Sequence, residues 1–200
     1  GHSRGGTSSF FLADVKLTSK FLGGTKGFDA ILPEAAECRM AGFFAEPELT
    51  SNTTLLVVHG GADDYTLAKF CKEHAERIKA PPGKVKIDIK EGWYHNWHAG
   101  KKPWREKMAM TVHECPDFYV DNEGRFTNPT WIEWMVNKHK KYSSVEAFYE
   151  TAQTDPRKAW KTAFKIMKKE KCISKGVTIG GDNADTYMPQ FINFFKKNLL

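Results

Sequence analysis

The chain opens with Gly1-His2-Ser3-Arg4-Gly5, which fits the pattern G-x-S-x-G. Glycines at this spacing let a chain turn tightly enough to lift a serine hydroxyl clear of a strand end, where it can attack a carbonyl carbon. An ordinary Gly/Ser turn looks the same, so the pentapeptide needs partners before it means chemistry. A nucleophilic serine requires a base to take its proton and an acid to orient that base, and one recurring order along the chain is Ser, Asp, His, with the partners after later strands. Both types follow in that order. His59-Gly60-Gly61-Ala62-Asp63-Asp64-Tyr65-Thr66 places carboxylates directly after an apolar run, and Gly92-Trp93-Tyr94-His95-Asn96-Trp97-His98 places imidazoles after the next run. The plainer reading of Asp63 and Asp64 is that they cap the helix that follows, a role Thr66 could fill itself. The plainer reading of a histidine among aromatics is a structural one.

The elements that must position these residues are legible as alternating patterns. Arg4 to Lys20 starts with small residues and runs without proline, and Phe28 to Leu32 is a short apolar run. Thr53 to Val58 is a continuous apolar and β-branched run ending in glycines, as expected of a strand buried on both faces of a parallel sheet. A helix is expected next, capped by Thr66, with Cys71, His74, Ala75 and Ile78 on its apolar side and Pro81-Pro82-Gly83 beyond its end. Val85, Ile87 and Ile89 alternate with polar residues, a strand with one wetter face toward the sheet edge. Strand, helix, strand makes a right-handed crossover, with the strands near 28–32, 53–58 and 85–89 expected as parallel neighbours in an α/β fold with helices on both faces. From Ala99 to about Tyr142 no period is sustained, so 99–150 reads as an excursion over the sheet, with a small hairpin across Asp121 to Gly124. Thr154-Asp155-Pro156 starts a Lys-rich helix whose expected stripe is Trp160, Ala163, Phe164 and Met167. A last helix from about Asn183 should set Met188, Phe191, Ile192, Phe195 and Leu199 on one side. No repeat or linker divides residues 1–200, which read as one domain.

Composition narrows the functional classes. With 40% hydrophobic residues the 200-residue chain can bury a core, which excludes a disordered or collagen-like chain. A net charge of +6 is too small to suggest a dedicated nucleic-acid binder. The longest apolar stretches, Leu55 to Val58 and Phe191 to Phe195, are too short to span a bilayer, and no basic-then-apolar leader opens the sequence. Cys38, Cys71, Cys115 and Cys172 are widely spread without a CxxC pair, so they are expected as buried thiols in a reducing cytoplasm.

Taken together, Gly1 to Gly6, Phe28 to Pro33, His59 to Thr66 with Cys71, Gly92 to Trp97, Lys175 to Gly180 and Phe194 to Leu199 resemble the dienelactone hydrolase family of α/β-hydrolases. The resemblance covers nearly the whole chain and is weakest between Lys101 and Lys171. It implies a doubly wound, mainly parallel sheet with an excursion after the histidine. It also implies Ser3 as nucleophile, Asp63 as triad acid and His95 as base, with Asp64 and His98 as the neighbours to be told apart from them. Such a protein would be a serine hydrolase of carboxylic esters or lactones working through an acyl-enzyme, with no cofactor. The backbone N–H of Arg4 would be one oxyanion donor, and Trp93, Tyr94, Trp97 and Trp104 are candidate walls of the substrate pocket. Two departures accompany the likeness. The name-giving members use a cysteine at the elbow where this chain has Ser3, and the family places several strands and a second oxyanion donor before the elbow. The chain therefore reads as the C-terminal part of such a domain. Its serine is expected on a mobile terminus and weakly active, and its sheet is expected to expose an edge for a missing half or for self-association.

Two other classes stay open. A zinc module could draw on His95, His98, His113 and Cys115, although their spacing matches no standard finger. A hydrolase-like chain that binds without turning over is the second.

Overall fold

A computed structural model describes residues 1–200. Helix α1 (Arg4–Phe11) and helix α2 (Val15–Leu22) come first. Asp14 separates them because its carboxylate accepts the Lys16 N–H at 2.8 Å and caps α2, and Gly23 ends α2 in the left-handed region at φ 74°. Strands β1 (Ala30–Ile31), β2 (Thr54–Gly60) and β3 (Val85–Lys90) then form a sheet ordered β1-β2-β3, parallel throughout. Helix α3 (Ala68–Arg77) makes the crossover between β2 and β3.

The alternation of side chains along β2 explains why its sequence is apolar at every position. Leu55 and Val57 pack against Phe10 of α1 and Phe70, Cys71 and Ala75 of α3. Leu56 and Val58 face the other way, toward Trp97 and Tyr187, the latter on the last helix, α7 (Ala184–Leu199). Helices therefore cover both faces, and the mixed α/β class with three parallel strands follows as expected. Each fully buried Leu or Val contributes on the order of 1.5–3 kcal/mol, so this strand is the anchor of the domain.

The second half departs from expectation. Lys101–Thr111 is a long strand, β4, pairing antiparallel with β5 (Ser174–Gly181) in a sheet of its own. Between them lie a short helix α4 (Thr130–Ile132) running into a π-helical turn at Glu133–Lys138, then α5 (Val145–Thr154) and α6 (Pro156–Lys169). These helices share a second core of Trp131, Met135, Phe148, Ala159, Ile166 and Met167. The excursion thus has its own interior, and it joins the first half through Tyr119, which packs into the first core, through Val120, which bridges Phe44, and through β5, where Ile179 bridges His95. The hairpin at Asp121 to Gly124 shrinks to a single bridge, Val120 to Phe126.

Three local expectations are corrected. On α6 the buried side is Ala159, Ile166 and Met167, while Trp160 is half exposed. On α7 Tyr187 is the buried residue, with Phe191, Phe194 and Phe195 partly buried beside it, and Met188, Ile192 and Leu199 face outward. All four cysteines are paired, Cys38 with Cys71 and Cys115 with Cys172, so the inference of a reducing compartment from unpaired thiols loses its basis. No helix is long and apolar enough to cross a membrane.

Candidate active site

Ser3 sits just before α1 with φ 54° and ψ −119°, a conformation that costs an L-residue about 1–3 kcal/mol and persists only when its surroundings enforce it. They do so here. Gly1 N donates to the Leu32 carbonyl, Glu34 N to the Gly1 carbonyl and Ser3 N to the Glu34 carbonyl, each at 2.8 Å. Residues 32–35 in turn lie beside β2, with Ala35 N donating to Val58 O at 3.0 Å and Val58 N donating to Pro33 O at 3.0 Å. The first three residues therefore extend the parallel sheet, and the expected mobile terminus is corrected. Close packing behind the turn falls on Gly1 and Gly6, where a Cβ would stand 2.5 Å from the Gly5 carbonyl oxygen and 2.4 Å from the Glu34 carbonyl oxygen, whereas Gly5 of the sequence pattern faces open space.

The carboxylate beside His95 comes from the loop after β2. Asp63 divides its oxygens between closing its own loop and meeting the base, and it does not cap α3, which begins at Ala68 with no side-chain cap. Oδ1 accepts the Tyr65 and Thr66 N–H groups at 2.9 Å each, and Oδ2 lies 2.8 Å from His95 Nδ1. Thr66 is not the helix cap. Its Oγ1 lies 3.0 Å from Asp63 Oδ2, 3.1 Å from the Ala35 carbonyl and 3.2 Å from His95 Nδ1, so its single proton serves one of the two oxygens while the hydroxyl walls the pair. Asp63 is buried, and burial alone would raise its carboxyl. The hydrogen bond from His95, with that from the Thr66 N–H, outweighs that and holds it below the usual carboxylate value. His59 lies at the end of β2, fully buried, with Nδ1 3.9 Å from Asp63 Oδ2, and burial keeps it neutral by lowering its pKa.

His95 comes from the loop after β3 and is 5% exposed. Its Nε2 stands 3.1 Å from Ser3 Oγ, so Ser3, His95 and Asp63 form one continuous hydrogen-bonded chain across three loops. Gly60 lets the acid and base loops meet: a Cβ there would stand 2.2 Å from the Trp93 carbonyl oxygen. From the other side Gly180 N, on β5, donates to the His95 carbonyl at 2.6 Å, and Asn183 N donates to the Trp97 carbonyl at 2.9 Å. Asp64 is turned away from His95. It accepts the Thr178 N–H at 2.6 Å and Arg105 Nη1 at 2.7 Å, pinning the β4–β5 ribbon to the acid's loop.

Arg4 is the first residue of α1, so its N–H has no acceptor within the helix and none elsewhere in the backbone, and it adjoins the serine as an oxyanion donor must. Around the serine and histidine stand residues the sequence pattern did not single out. Tyr65 presents its edge to His95 with ring centres 4.8 Å apart, and His2 lies 5.0 Å from His95 and 4.8 Å from His98. Burial, then the neighbouring His95 and His98, lowers His2 to about 3, so it is neutral at ordinary pH. The only prior signal for His2 was its place inside the pentapeptide.

The expected pocket walls are redistributed. Trp97 is fully buried, packed edge-on to Tyr187, and belongs to the core. Trp93 packs on Trp97 and Tyr187 as part of the same layer, Tyr94 is half-buried, and Trp104 on β4 lies over Gly180. The zinc set does not assemble. Cys115 is bonded to Cys172, and His113 Nε2 is engaged with the Tyr65 carbonyl at 3.0 Å. No protein-family model, no curated protein and no solved structure matches the chain.

Proposed function

We propose that this protein is a serine hydrolase of carboxylic esters or lactones, built on an α/β-hydrolase plan like that of the dienelactone hydrolases. The observation that carries the reading is the relay from Ser3 Oγ through His95 to Asp63 Oδ2, at 3.1 and 2.8 Å, with the serine held in a strained turn at the start of a helix. A merely structural serine has no reason to occupy such a turn, and a merely structural histidine none to bridge a hydroxyl and a buried carboxylate.

The steps follow from these positions. His95 Nε2 takes the Ser3 proton as Oγ bonds to the carbonyl carbon, and Asp63 stabilises the imidazolium. The oxygen that gains charge is met by the Arg4 N–H and the positive end of α1, and one such donor is worth about 2.7–4 kcal/mol. A neutral His2 at 5.0 Å spares the imidazolium a like charge. His95 then gives the proton to the departing alkoxide, which breaks the ester bond and leaves an acyl group on Ser3. Water, deprotonated by His95, releases the acid and restores the serine. Serine in place of cysteine favours ordinary esters and lactones over dienelactone itself. The two disulfides suit an oxidising compartment.

The test is hydrolysis of p-nitrophenyl acetate by the purified chain. Ser3→Ala should lower the rate on the order of a thousandfold or more. An equal rate in the variant would overturn the reading.

A further inference from the structure

The second core is not filled. A cavity of about 180 Å³ lies among the helices of the excursion, lined by Phe126, Trp131, Met135 and Phe148 on one side and by Ala159 and Ala163 of α6 on the other. None of its lining residues carries a charge, and the Nε1 of Trp131 is already donated to the Asp117 carbonyl at 3.1 Å. Its walls offer a water molecule no polar partner, and an enclosed apolar cavity of about 150 Å³ is known to take up benzene.

We propose that this cavity is a binding site for an uncharged single-ring aromatic molecule or group, separate from the serine site. Four features support that ligand. The volume suits one ring. The walls include Phe126, Phe148 and Trp131, whose rings already lie in tilted and stacked contact with one another, so a further ring extends an existing cluster. Trp160, also in the lining, is 49% exposed, so the cavity reaches the surface beside it. Met135 belongs to the π-helical turn at Glu133–Lys138, and turns of this kind recur at functional sites; its flexible side chain can adjust to an incoming ring. The Cys115–Cys172 disulfide lies in the same core. The site does not depend on the hydrolase reading, and failure of either leaves the other standing.

The experiment titrates the full chain with benzene, followed by calorimetry and by thermal unfolding, beside benzoate and two variants that fill the space, Ala163→Leu on α6 and Ala152→Leu on α5. Benzene should bind saturably to the unaltered chain and raise Tm by about 3–6 °C at ten times Kd. Benzoate should bind at least a hundredfold more weakly, because the walls hold no partner for its charge. Each filled variant should keep its unliganded Tm or gain, and should lose the benzene response. If one variant does not fold, the other and the benzoate comparison decide. No saturable benzene binding, an equal affinity for benzoate, or an unchanged response in a folded filled variant would overturn the proposal.

Discussion

His74 gives the sharpest prediction about stability, because its ring is buried where a charge cannot be accommodated. It stacks on Phe43 with centres 4.2 Å apart and lies between Phe10 and Tyr119, while its Nδ1 is 3.3 Å from Arg77 Nη2 and must therefore accept that N–H. Burial, then the Arg77 charge, lowers its pKa from 6.5 to about 3. Because the folded value lies below the unfolded one, the unfolded chain binds the proton more readily in this interval. The stabilisation is complete above about pH 6.5 and is lost as pH falls toward about 3. Between about pH 7 and about pH 4 the difference in proton uptake costs about 3 kcal/mol. His2 and His59 shift in the same direction, so the whole chain should be acid-sensitive, and a comparison with His74→Phe isolates the share of His74. Phe keeps the aromatic packing, and Arg77 can turn to solvent and to the Tyr119 ring, 3.9 Å away. Urea unfolding at a series of pH values should show the gap between the two proteins change by about 3 kcal/mol in favour of the variant as pH drops to about 4. Parallel pH dependences would refute the placement of His74 as a neutral core residue.

Other outcomes follow from the same structure. Gly6→Ala should destabilise by about 1–3 kcal/mol, because its Cβ would meet the Glu34 carbonyl, whereas Gly5→Ala, facing open space in a helix, should gain up to about 1 kcal/mol. Urea unfolding of the two variants checks the contrast. Replacing Cys115 and Cys172 together by alanine removes a link spanning 57 residues and should cost about 4 kcal/mol. Amide exchange should then rise through α5 and α6 before it rises in β2.

What was legible in the sequence was what burial imprints on it. Leu55 to Val58 is apolar at every position because both faces of β2 are covered, and that run fixed the strand, the crossover and the loop that carries Asp63. Asp155-Pro156 was legible for a local reason: Asp155 accepts the Lys158 N–H and proline suits the first turn of α6. β4 was not, because almost all of Lys101–Thr111 is solvent-facing and an exposed strand has no buried face to write an alternation. The cysteine pairs are separated by 33 and 57 residues and meet only through tertiary packing. Trp97 read as a pocket wall because its position beside His95 says nothing about which way the ring turns, and the turn places it under α7. On α7 the buried face lies a fraction of a turn away from the apolar stripe, since Tyr187, whose hydroxyl marks it as polar, is the residue that enters the core. His59 and Thr66 flank the acid through side chains whose contacts depend on how the loop closes.

The central claim is that Ser3 is an activated nucleophile, and covalent labelling tests it without knowledge of the natural ester. The purified chain is treated with a fluorophosphonate near neutral pH, digested, and mapped by mass spectrometry. Stoichiometric phosphonylation of Ser3 is expected, slowed on the order of a hundredfold or more in His95→Ala. Labelling spread over several serines, or Ser3 left unmodified while the chain is folded, would contradict it.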